Sequence, residues 1–277
     1  MAQDRLQLQR LELKYIITEE RALAIRDFVR SYLELDEYSA GKPNYAYRIH
    51  SLYLDSDDMK TYWDTINGIK NRFKLRLRYY DDRPDSPVFF EIKRRVNDAI
   101  LKQRGGVRRT AVEWLLAGHL PEPDHLVSPD NARHLVALQR FSQLMLSIRA
   151  SPKAHVTYFR EAWVSTHDNS VRVTLDRNVY CSPEFTASLR TDLQNPVKPF
   201  GNKVILELKF TARFPNWFRQ LIETFDLVRG PAAKYADGVT ALGVEMFMRR
   251  RRDGIPFEDQ EHDLGNIQAW TRRRRLV

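Results

Sequence analysis

The sequence predicts an α+β fold in which a closed antiparallel β-barrel forms a tunnel with a basic lumen and helices pack on its outside. Three observations predict it. Segment after segment alternates apolar and charged residues with the two-residue period of a strand, amphipathic helical segments lie between them, and the charged strand faces are mostly cationic. Antiparallel strands with one apolar and one basic face are accommodated by covering the apolar face with helices and closing the sheet around the polar one.

Residues 6–17 place Leu11, Leu13, Tyr15 and Ile17 on one face and Arg10, Glu12 and Lys14 on the other. Thr18 before Glu19 and Glu20 is an N-cap signal, followed at helical spacing by Ala22, Leu23, Ile25, Phe28, Val29 and Leu33. A second strand is expected over 45–55 and a short helix over 57–66, ended by Asn67-Gly68. Residues 73–80 are the clearest strand: Phe73, Leu75, Leu77 and Tyr79 oppose Lys74, Arg76 and Arg78. Like charges two residues apart on a strand repel by roughly 2 to 3 kcal/mol at an effective dielectric near 20, so an anion is expected opposite them.

Over 88–95, Val88, Phe90 and Ile92 oppose Phe89, Glu91, Lys93 and Arg95. Residues 99–104 send Lys102 and Arg104 to a common face before Gly105-Gly106 breaks the strand. Thr110 and Glu113 have capping-box spacing for a helix running to Gly118, 119–130 is a loop, and 131–148 is a longer helix with Leu135, Leu138, Phe141, Leu144 and Met145 as core. Strands resume over 155–165, with Tyr158 and Arg160 on one face, and over 171–180, with Arg172, Thr174 and Asp176 together. Residues 181–202 are turn-rich and unassigned. The last strand, 204–210, sets Glu207 and Lys209 against Val204, Leu206, Leu208 and Phe210, and helices follow over 215–225 and 235–248, the second just after Lys234.

A chain of 277 residues with 43% apolar content can bury one large core. The net charge of +9 falls to about +1 once the arginine runs at 249–252 and 272–275 are removed, so placement matters more than total. We expect one catalytic domain over 1–248 and a mixed basic and acidic tail over 249–277. Cys181, the single cysteine, excludes an internal disulfide and a multi-cysteine metal site. The start carries no apolar signal region and no stretch suits a membrane span, so a cytoplasmic protein is expected, with a membrane partner left open and nucleic acid disfavoured.

Pooling the charged strand faces gives twelve cations (Arg10, Lys14, Lys74, Arg76, Arg78, Lys93, Arg95, Lys102, Arg104, Arg160, Arg172, Lys209) against four acids (Glu12, Glu91, Asp176, Glu207), where the whole chain runs 45 to 36. A solvated face would mix signs more evenly, so the excess argues for a shared anion site. Arginine forks and lysine point charges together suit a polyanion with several phosphates, and the few acids could help hold a divalent cation that bridges them.

The motifs Arg10-x-Glu-x-Lys14-Tyr15, Ser51-Leu-Tyr-Leu-Asp55, Lys74-x-Arg-x-Arg78-Tyr79, Glu91-x-Lys93, Lys102, Tyr158-x-Arg160, Arg172-x-Thr-x-Asp176, Glu207-x-Lys209 and Lys234-Tyr235 occur in an order that resembles the VTC (vacuolar transporter chaperone) polyphosphate polymerase domain, of the triphosphate tunnel metalloenzyme or CYTH superfamily. The resemblance covers about residues 5–248. It implies a tunnel that transfers the terminal phosphate of ATP to a growing inorganic polyphosphate chain, assisted by Mn²⁺ or Mg²⁺. It implies Lys14, Arg76, Arg78, Lys93, Lys102, Arg160, Arg172 and Lys234 as phosphate ligands, Tyr158 as a further polar contact and Glu207 as metal ligand; Lys74 and Lys209 join them from strand parity. Position 10 is Arg where related hydrolases carry Glu, and Pro231 and Ala233 stand where polymerase domains tend to have Lys and Ser. A polyanion-binding module without catalysis and an inorganic triphosphatase of the same fold are the alternatives.

Overall fold

The computed structural model of the protein describes residues 10–97, 99–166, 170–211 and 213–248; the predicted start of the first strand and the 249–277 tail lie outside them. Strands β1 (Arg10–Ile17), β2 (Glu34–Leu35), β3 (Ala46–Asp55), β4 (Asn71–Tyr79), β5 (Val88–Val96), β6 (Ala99–Val107), β7 (Ser151–Val164), β8 (Val171–Pro183) and β9 (Val204–Thr211) form one antiparallel sheet in the order β2-β7-β3-β4-β5-β6-β1-β9-β8, and β7 also pairs with β8. The pairings run almost full circle. The β6–β1 junction holds one register pair among the described residues, Arg10↔Ile100, so the sheet is not closed along that seam. The expected α+β architecture is present; a continuous barrel wall is not.

The alternation decides which face goes where. On β4, Leu75, Leu77 and Tyr79 are buried against Val112 and Leu115 of α3 (Val112–Leu116) and Leu138, Phe141 and Met145 of α4 (Ala132–Ser147). Each fully buried apolar side chain contributes about 1.5–3 kcal/mol. On the neighbouring arc, α1 (Glu19–Val29) and α5 (Asn216–Thr224) cover Tyr15, Ile17, Val173, Leu175, Leu206 and Leu208. Thr18 caps α1, its side chain accepting from the Arg21 amide at 3.3 Å, as the sequence implied. Leu23, expected on the buried stripe, is instead exposed.

Several boundaries moved for identifiable reasons. β6 runs through Gly105-Gly106 instead of stopping there, because α4 packs directly on it: a Cβ at Gly105 would lie 2.6 Å from Leu138 Cγ and 2.8 Å from the His134 carbonyl oxygen. The glycines admit a helix rather than end a strand. The Thr110 capping box does not form; Arg109–Ala111 is a 3₁₀ turn and α3 begins after it with no side-chain cap. α2 (Lys60–Ile66) starts three residues later than expected, because the buried Asp55 carboxylate accepts from the Thr61 and Tyr62 amides, both at 2.9 Å. α6 (Lys234–Leu242) stops early at Gly243, whose φ is 90°. The two-residue β2 was not foreseen, being too short to show a period.

α6 also departs from the expectation that helices lie outside. Its Tyr235, Ala236 and Val239 pack with Tyr53, Tyr158 and Ile205, which share strand faces with Arg160 and Glu207. It therefore lies across one end of the cationic face and brings Lys234 to it. Among the described residues, no helix is long and apolar enough to cross a membrane.

Candidate functional site

The charged strand face is concave, because its side chains meet across intervening strands. Neighbouring strands are about 4.8 Å apart, so next-nearest strands touch only over an inward curve. Lys93 on β5 lies 3.1 Å from Glu12 on β1, with β6 between them. Arg78 on β4 donates to the Tyr158 hydroxyl on β7 at 3.1 Å, across β3. Arg160 on β7 reaches Glu207 on β9 at 3.2 Å, across β8.

Two buried carboxylates organise the cations. Glu91 lies opposite Arg76 and Arg104 in register. Its Oε2 accepts from Arg76 Nε at 2.9 Å and Nη2 at 2.7 Å, with Arg78 Nε at 3.8 Å, while Oε1 faces Lys102 Nζ at 2.7 Å and Arg104 Nε at 3.6 Å. Burial pushes the Glu91 carboxyl up, but Arg78, Lys102, Arg76 and Arg104 outweigh it and hold the group well below its ordinary range.

Glu207 is the second centre. Oε1 accepts from Lys234 Nζ at 3.0 Å, with Lys14 Nζ at 3.4 Å; Oε2 accepts from Lys209 Nζ at 2.6 Å, Arg160 Nη2 at 3.2 Å and Thr174 Oγ1 at 3.3 Å. Burial again opposes ionisation and the surrounding lysines and Arg160 again overcome it. Asp176 joins this group, accepting from Arg160 at 2.7 Å on both oxygens, with Lys234 at 2.6 Å. Lys234 is thereby raised despite its burial, by Asp176 and Glu207.

The acids do not satisfy every cation. Lys74 faces Lys93 in register and lies over the Tyr235 ring, 5.5 Å from its centroid. Burial, with Lys93 and Lys14 nearby, lowers it to about 7. Burial brings Lys102 and Lys209 to about 7 as well, against the pull of Glu91 and Glu207 respectively. Such a cluster favours any ligand that delivers several negative charges at once.

Of the residues singled out from sequence, Lys14, Lys74, Arg76, Arg78, Lys93, Lys102, Tyr158, Arg160, Lys209, Lys234 and Glu207 come together on this face. Arg172 stands at its edge, opposite Lys209 in register, and pairs with Asp36 at 2.7 Å. The loop before α6 is tied to β1: Lys14 Nζ donates to the Ala232 carbonyl at 2.9 Å and the Gly230 amide to the Lys14 carbonyl at 3.1 Å. The sequence reading missed Glu91, Asp176 and Glu12 as site residues, although strand parity had placed all three on this face. It missed Tyr53, whose hydroxyl accepts from Arg76 at 3.0 Å.

No group of three or more His, Cys, Asp or Glu side chains suited to a metal ion occurs among the described residues. Both oxygens of Glu207 face cations. The donors on this face do not by themselves compose a metal centre among the described residues, and a divalent cation would fit here with phosphate oxygens supplying most of its ligands.

A structure of the PH1819 protein from Pyrococcus horikoshii OT3 is similar with a TM-score of 0.42 and 13% identity, covering 84% of this chain and 99% of that one, too distant to inform the site. No curated protein gives a significant match. A family model described as the VTC domain matches residues 9–243. With most of its length so matched, the chain belongs to the VTC domain family.

Proposed function

We propose that the protein is a polyphosphate polymerase that transfers the terminal phosphate of ATP to a growing inorganic polyphosphate chain inside a basic tunnel. Membership of the VTC family supports a role in polyphosphate metabolism. The observation that carries the finer proposal is the convergence of cations on two buried carboxylates: Arg76 and Arg78 on β4 and Lys102 on β6 meet Glu91 between them, and Lys14 on β1, Arg160 on β7, Lys209 on β9 and Lys234 on α6 meet Glu207. The nearly circular sheet, open along the β6–β1 seam, is consistent with such a tunnel.

In the proposed step, an anionic terminal oxygen of the polyphosphate attacks the γ-phosphorus of ATP. A new P–O bond forms to the chain, the bond from the γ-phosphorus to the β-bridging oxygen breaks, and ADP leaves with that electron pair. No general base is required, because the nucleophile is already anionic. The step asks for in-line positioning and stabilisation of charge on the transferred group, which Arg76, Arg78, Lys93, Arg160 and Arg172 would supply, with Lys14, Lys74, Lys102, Tyr158, Lys209 and Lys234 holding the flanking phosphates. Mn²⁺ or Mg²⁺, held by Glu207 and the phosphates together, would neutralise charge on the transferred group.

The test is polymer formation by purified protein from ATP with Mn²⁺ or Mg²⁺, scored by sensitivity of the product to exopolyphosphatase. Arg76→Ala and Glu207→Gln are each expected to abolish synthesis. Tight tripolyphosphate binding with no turnover under either metal would replace the polymerase by a binding module. Faster release of phosphate from tripolyphosphate than growth of polymer would replace it by a triphosphatase.

A further inference from the structure

One end of the concave face is chemically unlike the rest. Tyr38, Tyr47, Tyr80 and Phe89 follow one another in an arc, with successive ring centroids 6.1, 6.3 and 6.3 Å apart and interplanar angles of 57°, 52° and 72°. None of these three pairs is stacked. Tyr38 is 63% exposed and Tyr80 39%, so ring faces remain open to solvent. The arc adjoins the cations: the Arg104 guanidinium lies 3.5 Å from the Phe89 centroid and 3.6 Å from Glu91, and the charges of Arg160 and Arg172 act on Tyr47. Where α6 crosses the face, aromatic rings are consumed in packing instead, Tyr53 and Tyr235 being buried and stacked at 4.8 Å and 17°.

A chain of phosphates has no apolar surface and nothing to place on an aromatic ring. A nucleoside triphosphate has both parts, and exposed rings beside a row of phosphate-binding cations match it in order. Bases stack on aromatic side chains with little dependence on base identity.

We propose that Tyr38, Tyr47, Tyr80 and Phe89 form a nucleobase subsite, so that a nucleoside triphosphate enters this end with its phosphates leading and its base left at the aromatic arc. The proposal rests on the face being a phosphate-binding site. It makes the aromatic end the donor side and the end bearing Lys74 and Lys93 the side for the polyphosphate acceptor. Since the arc offers ring faces, discrimination among bases should follow stacking area, purines above pyrimidines.

The test compares ATP with inorganic tripolyphosphate by titration calorimetry on the full chain and on Tyr38→Ala/Tyr80→Ala, two exposed positions whose truncation spares the core. ATP affinity is expected to fall about fivefold or more while tripolyphosphate affinity is unchanged. Tyr80→Phe, which keeps the ring, is expected to bind ATP as the parent does. Equal losses for both ligands, no loss for ATP, or a Tyr80→Phe defect as large as the alanine defect would overturn the proposal. A parent chain that binds tripolyphosphate but gains nothing from the nucleoside would overturn it while sparing the phosphate site. Failure to bind either ligand would bring down both.

Discussion

Glu91→Gln is the most informative single substitution in this fold. It keeps the size of a side chain that is fully buried and removes the carboxylate that faces Arg76, Arg78, Lys102 and Arg104. Removing one partner of a buried ion pair costs about 3–5 kcal/mol, because the remaining charge is left uncompensated. At about 2–4 °C per kcal/mol for a domain of this size, the melting temperature should fall by about 6–20 °C. Tripolyphosphate should reverse much of that loss, because its oxygens take the place of the missing carboxylate. Its stabilising shift should therefore be larger in the variant than in the parent, because losing the competing carboxylate tightens tripolyphosphate binding and stabilisation of the folded state grows with affinity. The carboxyl titrates below its ordinary range, so its contribution is fully present above about pH 4.3 and is lost as pH falls through the folded value. The gap between parent and variant should close in acid. Thermal unfolding followed with and without tripolyphosphate decides it. A fall below about 2 °C, or a ligand-induced shift no larger than that of the parent, would refute the idea that Glu91 stands in for phosphate.

Three further outcomes follow from the charges and the packing. Lys74 and Lys102 titrate near 7 in the free protein, so at pH 8 a bound polyanion should restore their charge and draw protons from solvent. Calorimetry in two buffers of different ionisation enthalpy should show net uptake at pH 8 that fades by pH 6, whereas no uptake at pH 8 would contradict the assigned environment. In the unliganded protein the same lysines make stability rise with pH between about 7 and 10.4, since only the unfolded chain binds those protons there. Gly105→Ala should lower stability by about 1–3 kcal/mol through overpacking, measured by urea unfolding, because the added methyl meets Leu138 and the His134 carbonyl; an unchanged midpoint would mean α4 does not pack on β6 as described.

Strand parity carried the sequence a long way. Phe73, Leu75 and Leu77 against Lys74, Arg76 and Arg78 was enough to orient β4, and the same reasoning put Glu207 beside Lys209 and Arg160 beside Tyr158. Parity says which face a residue occupies and nothing about which strand lies opposite. The pairings that define the site join Lys93 to Glu12 and Arg160 to Glu207 across an intervening strand, and Lys234 to Asp176 between a helix and a strand, all far apart in the chain. Glu91 differs: its partners lie on the two adjoining strands, and parity had set it among only four acids on this face, but without the register nothing marked it as the one that anchors four cations. Glycine chemistry misled at Gly105-Gly106, where the sequence shows a residue without a side chain and the structure shows the helix that needs the space. α6 escaped for a related reason: an amphipathic pattern cannot say whether its apolar side meets the outer or the inner face of a sheet.

The two carboxylates have a kinetic meaning beyond their effect on stability. A lumen lined by cations alone would hold a polymer of identical phosphates at every point, and each advance would require breaking several contacts with nothing to replace them. Were polyphosphate to thread this face, as proposed above, a cation that released one phosphate would be caught at once by Glu91 or Glu207, which already lie within reach of its neighbours. Movement of the polymer would then be a relay of exchanges, each nearly level in energy. The acids would serve as lubricant, keeping the grip on the chain firm over its whole length and weak at any single bead.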